Sequence, residues 1–178
     1  GRVLVFLNND TELIETRFGD ALAYLREHAD VGCVGGYLVY PNGCIQHAGV
    51  RICPEAPYRG IPEHFDKHMP IEGYPARRAP RDVVAVTGAM LLIPAERFRA
   101  AGGFDEVYEE EAQDIDLCLR LRREGLRSVI HPALLAYHHE NATRTVKEAP
   151  ADRAEFLRRF GGEIEREIYA WQRQAGLA

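Results

Sequence analysis

Hydrophobic positions along the chain change repeatedly between a strand pattern and a helix pattern. Residues 3 to 7 form a continuous apolar run that leads into two asparagines and an aspartate, and such a run is typical of a buried strand. Apolar residues between Leu13 and Leu25 recur at helical spacing, which predicts a helix that begins near Leu13. Further strands are predicted within residues 31–34, 82–86, 90–93 and 126–139, and further helices at 94–101, 113–125 and 151–172. The alternation predicts an α/β fold with a mixed, mostly parallel sheet flanked by helices.

Two connections stand out in this pattern. Asn42-Gly43 separates two extended runs and predicts a β-hairpin, whose second arm ends near Ile52. Residues 53–80 contain six prolines and little periodicity, so we expect a flexible loop over one face. Residues 151–172 are expected to form a closing helix.

Composition narrows the class of protein. The chain has 178 residues, 46% of them hydrophobic and 28% charged, as expected for a single folded domain. A net charge of -5 without a basic block argues against nucleic acid as a partner. No apolar run is long enough for a membrane span, and the sequence predicts a cytoplasmic protein. The opening run resembles a central strand, so we expect a further portion of the protein to precede Gly1.

Polar residues gather at three places where a strand is predicted to end or a helix to begin. The clusters are residues 8–12, residues 113–116 and residues 138–140. Ligands of α/β sheets collect at the carboxyl ends of the strands, so the clusters are candidates for one site. Asp10 and Thr11 have an equally good interpretation as N-caps of the helix predicted at Leu13.

The two aspartates of the second cluster are expected to differ in role. Residues two apart on a helix do not share a face, so Asp114 should face the apolar stripe and Asp116 the polar side. Asp116 has a sufficient structural explanation as a first-turn acid paired with Arg120. Asp114 has no such partner, and it could accept a proton from a substrate hydroxyl.

The adjacent histidines of the third cluster should point to opposite faces of a strand. At most one of His138 and His139 is therefore expected in a given site. A hard divalent cation takes oxygen ligands and tolerates one imidazole, with a diphosphate to complete its shell. A metal-dependent hydrolase that uses His138, His139 and Glu140 is a weaker alternative, because these residues lack a helical H-x-x-x-H spacing.

Five segments in a fixed order resemble bacterial family 2 glycosyltransferases, especially rhamnosyl and O-antigen transferases. They are "FLNNDTE", "VGCVGGYLVYPNGCIQHAGV", "VTGAMLLIPAERFRAAGGFDE", "QDIDLCLRLRREGLRSVIHPALLAYHHE" and "EFLRRFGGEI", and together they cover nearly the whole chain. The resemblance implies a GT-A fold, of which this chain would be the C-terminal, metal- and acceptor-side part. It also implies inverting transfer of a sugar from a UDP-, dTDP- or GDP-sugar with Mg²⁺ or Mn²⁺.

The resemblance assigns expected roles to individual residues. Asn8, Asn9 and Asp10 stand at the D-x-D motif that contacts the donor, with Asp10 and His138 (or His139) as metal ligands. Asp114 matches the general base of relatives. Residues expected to border the acceptor are Thr87, Gly88, Ala89, Asp105, Glu106 and Asp116.

Two positions depart from the family pattern. Asn8 replaces the first acid of D-x-D, and Gln113 replaces the usual Glu before the base. These neutral residues leave open a second hypothesis, a non-catalytic module that binds saccharide or a partner protein. The expected partners are a nucleotide sugar and a saccharide or lipid-linked acceptor, with peripheral membrane association of the parent protein. Oligomeric state is left open.

Overall fold

The computed structural model describes residues 1–139 and 149–177. The strands are β1 (Val3–Leu7), β2 (Thr11–Leu13), β3 (Val31–Val39), β4 (Ile45–His47), β5 (Val50–Ile52), β6 (Pro62–His64), β7 (Arg81–Val83), β8 (Met90–Pro94) and β9 (Arg127–His138). The α-helices are α1 (Phe18–Glu27), α2 (Ala95–Ala100), α3 (Gln113–Arg123), α4 (Pro150–Glu163) and α5 (Tyr169–Gln174). A 3₁₀ turn spans Pro75–Arg78, and a π-helical segment, Ile164–Ile168, joins α4 to α5.

Seven of the described strands form one mixed sheet. Its central order is β1-β8-β3-β9-β2, while β4 pairs with β3 and β7 with β9. Among the described pairs of this sheet, β3 and β9 are parallel and the others are antiparallel. The predicted α/β class with a mixed sheet is confirmed, whereas the expected predominance of parallel pairing is wrong. Strands β1, β3 and β9 run in the same direction, but β8 lies between β1 and β3 and runs antiparallel to both, so among the described strands only β3 and β9 are parallel neighbours.

Helices cover both faces of the sheet. On one face α1 packs Ala21 and Leu25 against apolar side chains of β3, β8 and β9. On the other face α3 places Leu117, Cys118 and Leu121 against β3 and β9. The helical stretch from α4 to α5 packs as an outer layer on α3, through a cluster that includes Leu119. The closing helix predicted at 151–172 corresponds to this stretch.

The helix predicted to begin near Leu13 begins instead at Phe18. Thr11–Leu13 is a short strand because it pairs antiparallel with the end of β9, with Thr11 opposite His138. Tertiary pairing thus overrides the local helical spacing. Asp10 and Thr11 consequently do not cap α1, whose N-cap residue is Arg17.

The predicted hairpin forms, with Gly43 at a positive φ of 79° between β3 and β4. Its second arm is broken at Gly49, which has a φ of 113°, so that β5 leaves the large sheet and pairs with β6. Residues 53–80 contain β6 and the 3₁₀ turn; the flexibility expected for them stays a prediction. None of the helices in the described ranges has the length and apolar character needed to cross a membrane.

Candidate functional site

Residues from each of the three polar clusters line one cleft of about 800 Å³ at the ends of β1 and β9 and at the N-terminus of α3. Predicted site residues that line it are Asn8, Asn9, Asp10, Thr87, Gly88, Ala89, Gln113, Asp114 and His138. Residues far apart along the chain therefore meet at a common surface, as the strand-end argument predicts.

Asp10 and His138 lie side by side because β2 pairs with β9. The His139 amide donates to the Asp10 carbonyl at 3.0 Å, which holds the two segments together. The His138 Nε2 lies 3.1 Å from the Asp10 Oδ1, and these side chains are only 13% and 14% exposed. The Asn8 amide nitrogen lies 3.2 Å from the same Nε2.

This pair has the features of a cation-binding site. The buried Asp10 Oδ1 has no hydrogen-bond partner within the described residues, and an unsatisfied buried oxygen costs free energy. Ligands at adjacent octahedral positions around a small divalent cation lie about 3 Å apart, which matches the Asp10–His138 distance. In the described ranges, no third His, Cys, Asp or Glu completes a protein metal cluster. The two residues fit a cation whose other ligands come from a substrate or from water.

Asp114 projects from the first turn of α3 toward the segment Thr87-Gly88-Ala89. Its Oδ2 accepts a hydrogen bond from the Gly88 amide at 2.7 Å, and its Oδ1 accepts one from the Ile115 amide at 2.8 Å. A carboxylate has about four acceptor sites, so these two bonds leave capacity for a substrate hydroxyl. Asp114 is thus fixed in orientation and still able to accept a proton.

The chain is similar to two known bacterial proteins. The chain is 39% identical over 162 residues to the uncharacterized protein y4gI of Sinorhizobium fredii, with 89% of the chain covered. It is 34% identical over 151 residues to the O-antigen biosynthesis protein RfbC of Myxococcus xanthus, with 84% covered. The chain spans only 17% and 12% of the lengths of these two proteins. No family model matches the chain.

A solved structure identifies the fold. GalNAc-T7, crystallised with UDP, GalNAc and Mn²⁺, superposes on 96% of this chain with a TM-score of 0.64 at 14% identity, and 35% of that chain is covered. The chain has a glycosyltransferase fold of the GT-A type. Within this glycosyltransferase fold, the cleft contains most of the residues that the sequence singled out.

Four residues predicted for the site lie outside the cleft of the glycosyltransferase fold: His139, Asp105, Glu106 and Asp116. His139 approaches Glu12 at 3.6 Å and is 45% exposed, so the structure places His138, not His139, in the cleft. Asp105 pairs with Arg159 at 2.6 Å, and this cation holds the pKa of Asp105 below its usual range. Glu106 is exposed and does not line the cleft. Of the residues in the hydrolase alternative, His139 does not line the cleft, and Glu140 lies outside the described residues.

Asp116 is the clearest correction. The expected pairing with Arg120 is present, but the predicted position on the polar side is wrong, because Asp116 is fully buried. It also accepts hydrogen bonds from the Tyr108 hydroxyl at 3.0 Å and from Arg159 at 3.2 Å. Burial, with the Asp116 charge as a further cause, raises the pKa of Tyr108. Helix α4 covers this side of α3, so Asp116 joins two helices and is not placed to contact an acceptor.

The cleft also contains residues that sequence reasoning did not select. His64 and Pro62 come from the loop of residues 53–80, Arg153 and Phe156 from α4, and Phe104 from the turn after α2. Gln46 lies behind the cleft and contacts His138. The segment "GCIQHAGV" contains Gln46, but a single amide within a buried strand forms no motif from which a function could be predicted.

Proposed function

We propose that this chain forms the metal- and acceptor-side part of an inverting family 2 glycosyltransferase. The proposed reaction moves a sugar from a nucleoside-diphosphate donor to a hydroxyl group of a saccharide or lipid-linked acceptor. The observation that carries the proposal is the presence of Asp10, His138 and Asp114 in one cleft. The similarity to an O-antigen biosynthesis protein, and to a fold solved with UDP and Mn²⁺, supports it.

In this proposal Asp114 acts as the general base. Its carboxylate takes the proton of the acceptor hydroxyl, whose oxygen forms a new bond to the anomeric carbon. The bond from that carbon to the diphosphate oxygen breaks, and the electron pair leaves with the diphosphate. Attack from the face opposite the leaving group inverts the anomeric centre. The hydrogen bonds from Gly88 and Ile115 hold the base in place for this step.

Asp10 and His138 are the residues that would hold Mg²⁺ or Mn²⁺. Such a cation, when bound, supplies positive charge against the departing diphosphate. Asn8 and Asn9 line the same end of the cleft and can offer amide hydrogen bonds to the donor. Cytoplasmic location and association with a membrane surface remain predictions of the sequence.

Replacement of Asp114 by Asn in the full-length protein tests the general base. Loss of a positioned base costs typically about 10²–10⁴-fold in rate, so kcat for transfer should fall within that range. Mn²⁺-dependent binding of UDP, measured by calorimetry, should stay within a few-fold of wild type, because Asp114 does not contact the donor in this proposal. Transfer rates within a few-fold of wild type would show that Asp114 is not the base.

The neutral residues Asn8 and Gln113, together with a protein metal site of only two described side chains, favour one alternative. This is a saccharide- or protein-binding module without catalysis. The same calorimetry separates the two functions. A full-length protein that binds none of UDP, dTDP and GDP, with or without Mn²⁺, would favour the module and contradict the transferase.

A further inference from the structure

Gln46 is a buried amide that contacts His138 at two points. Its side chain lies on β4 and the residue is only 2% exposed. The Gln46 Oε1 lies 2.6 Å from the His138 Nδ1. The Gln46 Nε2 donates to the His138 backbone carbonyl at 3.3 Å.

These two contacts determine which ring nitrogen of His138 carries the proton. A carbonyl oxygen only accepts, so the amide nitrogen of Gln46 must face the His138 carbonyl. The amide oxygen must then face Nδ1, and because it too only accepts, Nδ1 must carry hydrogen. In a neutral imidazole the other nitrogen, Nε2, then presents its lone pair.

That lone pair points toward the site. Nε2 receives the amide hydrogen bond of Asn8 at 3.2 Å and lies 3.1 Å from the Asp10 Oδ1. A histidine that ligates a metal through one nitrogen commonly donates its other N–H to a fixed acceptor, which sets the tautomer and the orientation of the ring. Gln46 is in the position of that acceptor.

Gln46 is itself held in place by its strand. Its backbone carbonyl lies 3.1 Å from Nδ1 of His64, a residue that lines the cleft. The next residue, His47, pairs with Leu38 in the central strand β3. The buried sheet therefore fixes the position of the Gln46 amide, and its orientation toward His138 does not depend on a surface loop.

We propose that Gln46 is a positioning residue that fixes His138 as the Nδ1–H tautomer and aims Nε2 at a divalent cation beside Asp10. This inference rests on the proposed function for the cation, but the tautomer itself is a property of the chain alone. Gln46 does not touch substrate or cation; it acts through the His138 ring.

The test compares three variants of the full chain. Gln46→Met keeps the volume but removes the acceptor, whereas Gln46→Glu keeps an oxygen next to Nδ1. Gln172→Met is the matched control, since Gln172 is 1% exposed and makes two hydrogen bonds through its amide, at 2.6 and 3.0 Å, to the backbone of Ile52. Gln172 does not line the cleft.

Two readouts are needed. Long-range ¹⁵N–¹H spectra of ¹⁵N-histidine-labelled protein in alkaline buffer report the tautomer of His138 without any metal. Titration with Mn²⁺ alone, followed by electron paramagnetic resonance, reports the affinity for the cation.

We expect wild type, Gln46→Glu and Gln172→Met to show the Nδ1–H form of His138. Gln46→Met should gain the Nε2–H form and bind Mn²⁺ about 10–100-fold more weakly, the usual effect of losing such an outer contact. An Nε2–H ring in the wild type, or an unchanged ring in Gln46→Met, would overturn the inference. A tautomer change as expected, in a wild type that binds no Mn²⁺, would support Gln46 and contradict the cation of the proposed function.

Discussion

His47 is a buried histidine in β4. It has no exposed surface, and neither ring nitrogen has a hydrogen-bond partner within the described residues. The His64 ring lies 4.6 Å away in an edge-to-face arrangement. Burial, with the nearby His64 and His138 as further causes, holds the pKa of His47 well below its ordinary value of 6.5. The folded protein therefore keeps this ring neutral.

Stability should depend on pH through His47. Because the folded pKa lies below the unfolded one, the unfolded chain binds the extra proton, and stability is full above about pH 6.5 and is lost as pH falls. His47→Phe should remove the contribution of this histidine, so that the free energy of unfolding falls less steeply with decreasing pH, by up to about 1.4 kcal/mol per pH unit. Urea unfolding of both proteins between pH 5 and pH 8 measures it. Equal slopes would contradict a neutral buried His47.

Single residues were predictable where they follow a strand or begin a helix. Asp10, Asp114 and His138 stand at such boundaries, and a boundary can be recognised from the change between apolar and polar residues. Gln46 and His47 lie inside a buried strand, where only the packing of another strand decides whether a polar side chain has a partner. No local sequence pattern distinguishes Gln46, which contacts His138, from His47, whose ring nitrogens have no partner within the described residues.

Gly49 is the residue that breaks the hairpin arm into β4 and β5. Its φ is 113°, and a Cβ at this position would lie 2.4 Å from the Val83 Cγ1 and 2.8 Å from the Phe65 ring. The chain turns here so that β5 can leave the large sheet and pair with β6, which delivers His64 to the cleft. A side chain would oppose both the turn and the packing.

Gly49→Ala should destabilise the fold by about 3 kcal/mol, from backbone strain and overpacking together. Gly43→Ala is the matched control: its φ is also positive, 79°, but a Cβ would meet no atom within 4 Å. It should cost about 1 kcal/mol. Chemical denaturation measures both, and equal losses would mean that the contacts at Gly49 relax without cost.

Elements were predictable to the extent that local spacing agreed with tertiary pairing. Helix α3 is found as predicted, closed by Gly125 at a positive φ of 77°. The start of α1 was wrongly predicted near Leu13, because Leu13 fits the helical spacing of the residues that follow although it pairs with β9 as the last residue of a strand. Whether two strands pair parallel or antiparallel could not be predicted from the local sequence either, because it depends on which segments become neighbours in the sheet.

At the scale of the molecule, a buried charge network joins the outer helix layer to the inner one. Asp116 on α3 has no exposed surface and pairs with Arg120 and with Arg159 of α4. The arginine side chains are only 22% and 25% exposed. Helix α4 in turn supplies Arg153 and Phe156 to the cleft, so the network supports the cleft wall.

Asp116→Asn should lower the free energy of unfolding by about 3 kcal/mol, because it removes the carboxylate that pairs with Arg120 and one of the carboxylates around Arg159. Asp20→Asn is the control, since Asp20 pairs with Arg17 where both side chains are more than half exposed. Such a surface pair is worth less than about 1 kcal/mol. Thermal unfolding measures both variants, and a neutral Asp116→Asn would contradict the structural role of the network.

The parallel pairing of β3 with β9 has a consequence for how the chain is made. Val31 pairs with Arg127, so most of the chain must leave the ribosome before the buried strand β3 meets this partner. Contacts of such long sequence separation form slowly, since a large loop must close first. Until then the edge of β3 that β9 covers lacks its partner, and unpaired strand edges are the kind of surface that chaperones shield.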